Sequence, residues 1–338
     1  MKIALVTGAC EPGQCGVGDY VARLAVALQR TGVGADILWQ ANGGLADLPR
    51  LLRTLRGLRP DLVHIHYPCP GFGRNLGPQG LALAVRGVVT IHEASMARLP
   101  RKLSLYPFGL RAKHVVFTSE AERGFSARWA PWIVENSSVI PVGSNVERQP
   151  CGQQDVRSFR DVVHFSLTIP KRGLEAVLEL AALAKQGGHD LTVRAIGNRR
   201  PEHSLYADEL RHKSKGLPIV WEQGLSEEEV GRRLTASWIA YLPYPDGASE
   251  RRTGLKAALA SGMAVVTTRG PDTPADLESV ARFCSSPSEA LAVIRELVEN
   301  PMEIRKLADS GQKYAARFSW EAIAQRHVEV YQRVVGSS

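Results

Sequence analysis

No stretch of the sequence approaches the roughly 20 uninterrupted apolar residues a membrane-spanning helix needs, which excludes a spanning segment. Aromatic residues make up only 7%. No base-reading motif accompanies the basic clusters, so nucleic acid is not an expected partner. No Asp-x-Asp pair occurs, which argues against catalysis on a cation held by paired carboxylates. Cysteine is scarce and scattered. Cys10, Cys15, Cys69, Cys151 and Cys284 form neither a disulfide framework nor a Cys-x-x-Cys pair, and they read as reduced thiols. Cys10 and Cys15 can be neighbours in one loop, but nothing nearby in sequence completes a zinc site, and no metal is expected. The N-terminal apolar run is too short for a signal peptide and flows into a glycine turn, so it reads as a first buried strand and the expected location is the cytoplasm.

The 338 residues exceed the length over which one hydrophobic core keeps growing, which points to two domains. Hydrophobic residues at 44% and charged residues at 22% suit well-filled cores. The net charge of +8 is uneven: residues 1–150 hold 17 Lys and Arg against 10 Asp and Glu, the remainder 25 against 24. Arg50, Arg53, Arg56 and Arg59 recur every three residues beside Leu48, Leu51, Leu52, Leu55 and Leu58, as on a basic amphipathic helix. A second cluster is Arg98, Arg101, Lys102, Arg111 and Lys113. The two readings are a solvated helix face and a contact with an anionic membrane or lipid-linked phosphate.

Short apolar runs alternate with helical patterns throughout, the mark of βαβ units on parallel sheets. Strands are expected at 2–7, 35–39, 62–66, 88–91, 114–118 and 138–140, with a helix over 19–30. The polar stretch 147–155 is the best linker. Strands at 161–165, 191–195, 219–221, 238–242 and 264–267 follow, with helices at 173–186, 226–236, 253–261 and 287–299 and near-continuous helix after Pro301. The fold expected is α/β, two Rossmann-like doubly wound domains of residues 1–150 and 151–318 with a ligand cleft between them. The last helix, about 319–338, is expected to return to the first domain.

Three segments carry chemistry. Gly16-Val17-Gly18-Asp19-Tyr20 follows the first strand and opens a helix, where backbone N–H groups can approach a phosphate. The spacing is not a full Gly-x-Gly-x-x-Gly, since residue 21 is Val21, which disfavours hydride transfer. His92 and Glu93 close the strand 88–91, where a histidine can bond a sugar hydroxyl or handle a proton near neutral pH. His64 and His66 share one sheet face and read as structural rather than catalytic. The run from Tyr244 to Thr268 places Glu250, Arg251 and Arg252 just before a small-residue helix. The amides of Thr253, Gly254 and Leu255 at its start would face an anion, and either arginine could clamp a diphosphate.

These segments together resemble the retaining GT-B glycosyltransferases of family four, also called group 1. Residues 16–20 resemble the family's glycine loop, and Val139 to Asn145 its Ile-Pro-Asn-Gly segment. Pro170-Lys171-Arg172-Gly173-Leu174 resembles its Lys-Gly phosphate segment, Leu259 to Thr267 its small-residue helix and strand, and Phe318 to Glu321 with Tyr331 its closing helix. The family usually places two glutamates eight positions apart. Ser249 and Ala257 hold those positions here, with Glu250 displaced by one, and Leu167 and Arg172 hold the positions of its arginine and lysine. Arg251 and Arg252 could replace the lost charge.

The resemblance implies transfer of a sugar from a nucleotide-diphosphate donor to a glycan, lipid-linked or small-molecule acceptor with retention, in polysaccharide biosynthesis. His92 and Glu93 are the implied catalytic residues. Gly16, Val17, Gly18, Arg172, Gly224, Leu225, Glu250, Arg251, Arg252, Thr253, Gly254 and Leu255 are implied at the donor, and Asp19, Tyr67 and Ser119 at the acceptor. The nucleotide-sugar is a substrate, and no further cofactor is implied. The alternative is a non-catalytic nucleotide-sugar-binding or scaffold protein, motivated by Ser249 and Ala257. A hydrolase is disfavoured because Asp246 and Glu250, the one carboxylate pair that could face across a site, share a single loop.

Overall fold

The computed structural model describes residues 1–10, 15–40, 43–93, 102–144, 146 and 157–336. Those residues fall into two compact units: Met1–Gly143 with Phe318–Ser338, and Ser144–Arg317. The proposed linker at 147–155, with Arg98, Arg101 and Cys151, lies outside the described residues.

The first unit is a parallel six-stranded sheet. Its strands are β1 (Lys2–Gly8), β2 (Gly34–Gln40), β3 (Leu62–Tyr67), β4 (Val88–Ile91), β5 (His114–Phe117) and β6 (Ser137–Val139), in the order β2-β1-β3-β4-β5-β6. Because both faces are covered, β3, β4 and β5 are buried at every position. Tyr20, Val21, Leu24 and Leu28 of the helix Gly16–Arg30 pack one face together with Ile323, Ala324, Val328 and Tyr331 of the helix Trp320–Gly336. Leu51 and Leu55, Phe72, Leu81 and Phe108 cover the other face. Between β1 and β3 the chain reverses its direction of travel across the sheet, and the crevice at such a reversal is where wound sheets bind ligands.

The second unit repeats the plan with β7 (Ser158–Phe165), β8 (Thr192–Ile196), β9 (Ile219–Glu222), β10 (Ser237–Leu242), β11 (Ala264–Thr267) and β12 (Ala281–Phe283), in the order β12-β11-β10-β7-β8-β9. Its reversal lies between β7 and β10. The helix Thr253–Ala260 buries Leu255, Ala258 and Leu259 on one face of this sheet, while the helices Leu174–Gln186 and Pro287–Glu299 fill the other.

Element positions match the periodicity closely, with the first helix beginning three residues earlier than expected, at Gly16. Strand β12 and the helices Gly77–Ala84, Glu120–Trp129 and Ser204–Lys213 had no clear sequence signal. Gly77–Ala84 carries Pro78 and Gly80, both poor helix formers, and holds its form by packing: a Cβ on Gly80 would lie 2.7 Å from Leu45. The basic helix runs over Leu48–Leu58, with Leu51 and Leu55 buried and Arg50, Arg53, Arg56 and Arg59 exposed. Among the described residues, no helix is long and apolar enough to cross a membrane.

Candidate functional site

At the carboxyl end of β1, Cys15 caps the helix Gly16–Arg30 by accepting a hydrogen bond from the Gly18 N–H. Packing does not demand glycine at the first turn. A Cβ on Gly16 would meet nothing within 4 Å, and one on Gly18 would come no closer than 3.5 Å to Trp39. The helix start is exposed at Gly16, while the Val17 and Gly18 amides face the Cys15 sulfur. Val17 is half-buried against the core, and Asp19 sits in the first turn with its N–H bonded to the Cys15 carbonyl.

His92 follows β4 and is 5% exposed, its N–H bonded to the Tyr67 carbonyl at 2.7 Å. Burial pushes its pKa down to about 3, so the ring is neutral across the physiological range. This corrects the expectation that it handles a proton near neutrality; a neutral ring can still exchange a hydrogen bond with a sugar hydroxyl. Glu93 is exposed, in the left-handed region at φ 44°. His92 belongs to a buried group: its Nε2 lies 3.4 Å from His66 Nδ1, and its ring packs edge-on against Tyr20 at 5.1 Å. His64 joins Tyr331 and Thr90 at 2.7 Å each, and Tyr20 joins His327 at 2.8 Å. His64 and His66 are thus interior polar groups, both held neutral mainly by burial.

Two residues expected at the acceptor have other work. Tyr67 is buried 5.0 Å from the Phe108 ring, with its hydroxyl 2.9 Å from Ser104 Oγ. Ser119 is the N-cap of Glu120–Trp129, its hydroxyl accepting from the Glu122 N–H. Both side chains thus also make contacts within the fold. The sequence also gave no sign that Cys69 reaches the glycine loop, where its Sγ stands 3.5 Å from Cys15 and 3.8 Å from Cys10. The Cys15 thiol beside it is the largest of the influences that bring the Cys69 pKa down to about 7.

In the second unit, β10 ends at Leu242 and a loop leads to the helix Thr253–Ala260 at the sheet's reversal. Gly254 is required there: a Cβ would fall 2.5 Å from the Phe165 carbonyl oxygen at the end of β7. The helix has no side-chain cap, so the Thr253, Gly254 and Leu255 amides present positive potential. Arg252 is 13% exposed, lies over the Tyr244 ring at 4.7 Å and is paired with Asp246. Arg251 is paired with Asp272 at 2.6 Å. Both cations already have carboxylate partners, which an incoming diphosphate would have to displace.

Glu250 accepts from Arg317 at 2.9 Å, and Arg317 also holds Asp276 at 2.7 Å. Ser249 and Ala257 are buried, leaving no carboxylate at the positions of the family's glutamate pair. A residue overlooked in the sequence is Lys256, 2% exposed, its pKa pushed down to about 8 by burial against the opposing pull of Glu250. A lone lysine in a small-residue run was the available signal. Arg172 is half-buried and close enough to Tyr244 to act on its charge. Gly224, at φ 71°, donates its N–H to Asn198 Oδ1 at 2.8 Å, and Leu225 packs on the core. A depression of about 690 Å³ opens past β10, β11 and β12, with Gly173, Tyr244, Thr268, Ser285 and Pro287 in its wall; residues 251–255 are not among its lining.

Residues 15–148 match the family described as Glycosyltransferase Family 4. By that match the first part of the chain is similar to the family 4 glycosyltransferases. The chain is 27% identical over 224 residues to an MMP alpha-(1->4)-mannosyltransferase of Mycolicibacterium hassiacum, covering 60% of this chain and 49% of that one. It spans about half the length of that relative. Among solved structures it resembles a glycosyltransferase from Rickettsia africae, with a TM-score of 0.75, 15% identity and coverage of 100% and 99%. It also resembles Anabaena Alr3699/HepE in complex with UDP and glucose, with a TM-score of 0.70, 16% identity and coverage of 98% and 100%. At these identities the likeness establishes the fold, two wound α/β units in the GT-B manner.

Proposed function

We propose that this chain is a family 4 glycosyltransferase that transfers a sugar from a nucleoside-diphosphate donor to a glycan, lipid-linked or small-molecule acceptor, with retention at the anomeric carbon. The carrying observation is the uncapped start of Thr253–Ala260 at the reversal of the second sheet, with Arg251 and Arg252 beside it. Fixed amide dipoles and guanidinium groups there would stabilise the charge that develops on a departing diphosphate, without reorganisation during the reaction. Arg172, Gly224, Leu225 and Glu250 would complete the donor's surroundings. Gly16, Val17 and Gly18 of the first unit are proposed as further donor residues, and Asp19 in the same helix turn as an acceptor residue. His92, neutral and buried, would hold the transferred sugar by hydrogen bonding rather than by proton transfer, with Glu93 next to it. The names of relatives support the reading: one is a mannosyltransferase, and HepE was solved with UDP and glucose. Beyond the donor this chemistry calls on no cofactor. The exposed arginines of Leu48–Leu58 favour a peripheral contact with an anionic membrane.

Calorimetry with UDP-, GDP- and dTDP-sugars tests the reading. Binding of one class, followed by release of the nucleoside diphosphate when acceptor is added, is expected. Failure of all three to bind at saturating concentration defeats it. A second reading, a nucleotide-sugar-binding protein without turnover, rests on buried Ser249 and Ala257 in place of a glutamate pair. Tight donor binding with no product across many acceptors would favour that one.

A further inference from the structure

Three thiols far apart in the sequence meet where β1 gives way to the glycine loop. Cys10 ends the segment after β1, Cys15 caps the following helix, and Cys69 comes from the loop after β3. Their sulfurs lie within 4.8 Å of one another, with Cys69 at 3.5 Å from Cys15 and 3.8 Å from Cys10. The approach is built into the backbone. A Cβ on Gly71 would fall 2.3 Å from the Ala9 carbonyl oxygen, so glycine there lets the Cys69–Phe72 turn close on the end of β1. Zinc–thiolate bonds of about 2.3 Å place sulfurs about 3.8 Å apart in a tetrahedral site and about 4.0 Å apart in a trigonal one. The spacing found is close to that and well beyond a disulfide bond of about 2.05 Å.

A second observation points the same way. The Thr7 hydroxyl is fully buried, with the Cys69 sulfur beside it and no nitrogen or oxygen partner among the described residues. A hydroxyl left so is costly unless it serves an acceptor, and a metal-bound thiolate is a strong one. The Gly71 N–H faces Cys10 and Cys69, and the Gly18 N–H faces Cys15 at 3.5 Å. Each sulfur therefore has a donor of the kind that supports thiolate ligands. Cys15 stands at a helix N-terminus, whose dipole offsets the negative charge of a three-thiolate site. Cys15 and Cys69 are buried and Cys10 is half-exposed, so the cluster is most accessible at Cys10.

We propose that Cys10, Cys15 and Cys69 form a binding site for a thiophilic d10 cation of the zinc class, which pins the glycine loop to the loop after β3. On binding, each thiol gives its proton to solvent and its sulfur lone pair to the cation, with no redox change. The site is structural and separate from the sugar-transfer chemistry, which it would affect only through the position of Gly16 to Gly18.

The reduced full-length chain, stripped with a chelator, is titrated with Zn(II) against a chromophoric competitor, and with Co(II) by absorption. One equivalent of Zn(II) and an intense sulfur-to-cobalt charge-transfer band are expected. Cys69→Ser and Cys10→Ser should lose more affinity than the roughly 10–100-fold that removal of an outer hydrogen-bond partner costs, and Thr7→Val should fall within that range. Cys284→Ser, in the second unit and outside the cluster, should bind as the parent does. Cys10 is half-exposed, so its variant keeps the test open if Cys69→Ser fails to fold by circular dichroism. Absence of stoichiometric binding by the reduced chain overturns the proposal. So does full affinity in folded Cys10→Ser, or recovery of the cluster as a disulfide with a mass lower by two hydrogens.

Discussion

The Tyr20 hydroxyl and His327 Nε2 lie 2.8 Å apart in the interior of the first unit, though 307 residues separate them in sequence. Tyr20 comes from the helix that the glycine loop opens, His327 from the last helix of the chain. The Nδ1 atom of His327 has no partner among the described residues, so the Tyr20 bond at Nε2 is the ring's one hydrogen bond among them. Tyr20→Phe leaves a buried imidazole unpaired and is expected to cost about 1–3 kcal/mol. Denaturant unfolding followed by fluorescence measures it. An unchanged midpoint would mean that solvent reaches His327.

Acid should loosen the same region. Burial holds His92 and His327 down to about 3 and His114 to about 4, against an ordinary value of 6.5. Below pH 6.5 the unfolded chain takes up protons that the folded chain refuses. Their contribution is complete above pH 6.5 and is lost as the pH falls toward the folded values. At pH 5 each contributes a loss of about 2 kcal/mol, an order-of-magnitude figure. The unfolding midpoint should drop markedly between pH 7 and pH 5. A flat profile would contradict the neutral, buried assignment.

At the proposed donor site, Asp246 competes with phosphate for Arg252. Arg252→Ala is expected to weaken nucleoside-diphosphate binding by about 1.5–3 kcal/mol, the usual worth of a charge-assisted bond. Asp246→Asn should instead strengthen it, by freeing the guanidinium. Calorimetry with the preferred donor distinguishes the two. Equal weakening by both variants would assign the ion pair to loop stability alone.

Glycines at the two helix starts should behave differently. Gly254→Ala forces a Cβ to 2.5 Å from the Phe165 carbonyl oxygen and is expected to cost about 1–3 kcal/mol of stability. Gly16→Ala meets open space and should change stability by no more than about 0.5 kcal/mol. If phosphate approaches that helix start, Gly16→Ala lowers donor affinity all the same. Unchanged affinity would remove Gly16 from the donor site.

His92→Ala is expected to cut turnover while leaving nucleotide affinity close to that of the parent. The comparison is made by product release and by calorimetry on one preparation. A parallel loss of affinity would place His92 in donor binding.

Much of this architecture was legible along the chain. Strands such as Val88–Ile91 and Ala264–Thr267 are continuous β-branched runs between polar turns, a pattern that only a sheet covered on both faces accommodates. The glycine loop and the helix at Thr253 were legible because a turn after a strand has a local signature. The partners of Tyr67 and Ser119 inside the fold were not legible, for the opposite reason. A polar side chain at a strand's carboxyl end looks the same in sequence whether it faces a ligand, as expected, or Ser104 and the Glu122 amide, as found.

The sequence alone thus determined the two wound sheets, the order of their elements and the helix starts suited to an anion, since all of these follow from short-range periodicity and turn chemistry. Tertiary structure alone decided which polar groups are spent inside the protein. It paired Arg252 with Asp246, buried His92 until it became neutral, and brought Cys69 to Cys10 and Cys15. Those outcomes depend on distances between segments remote in sequence, and burial and charge act through space rather than along the chain.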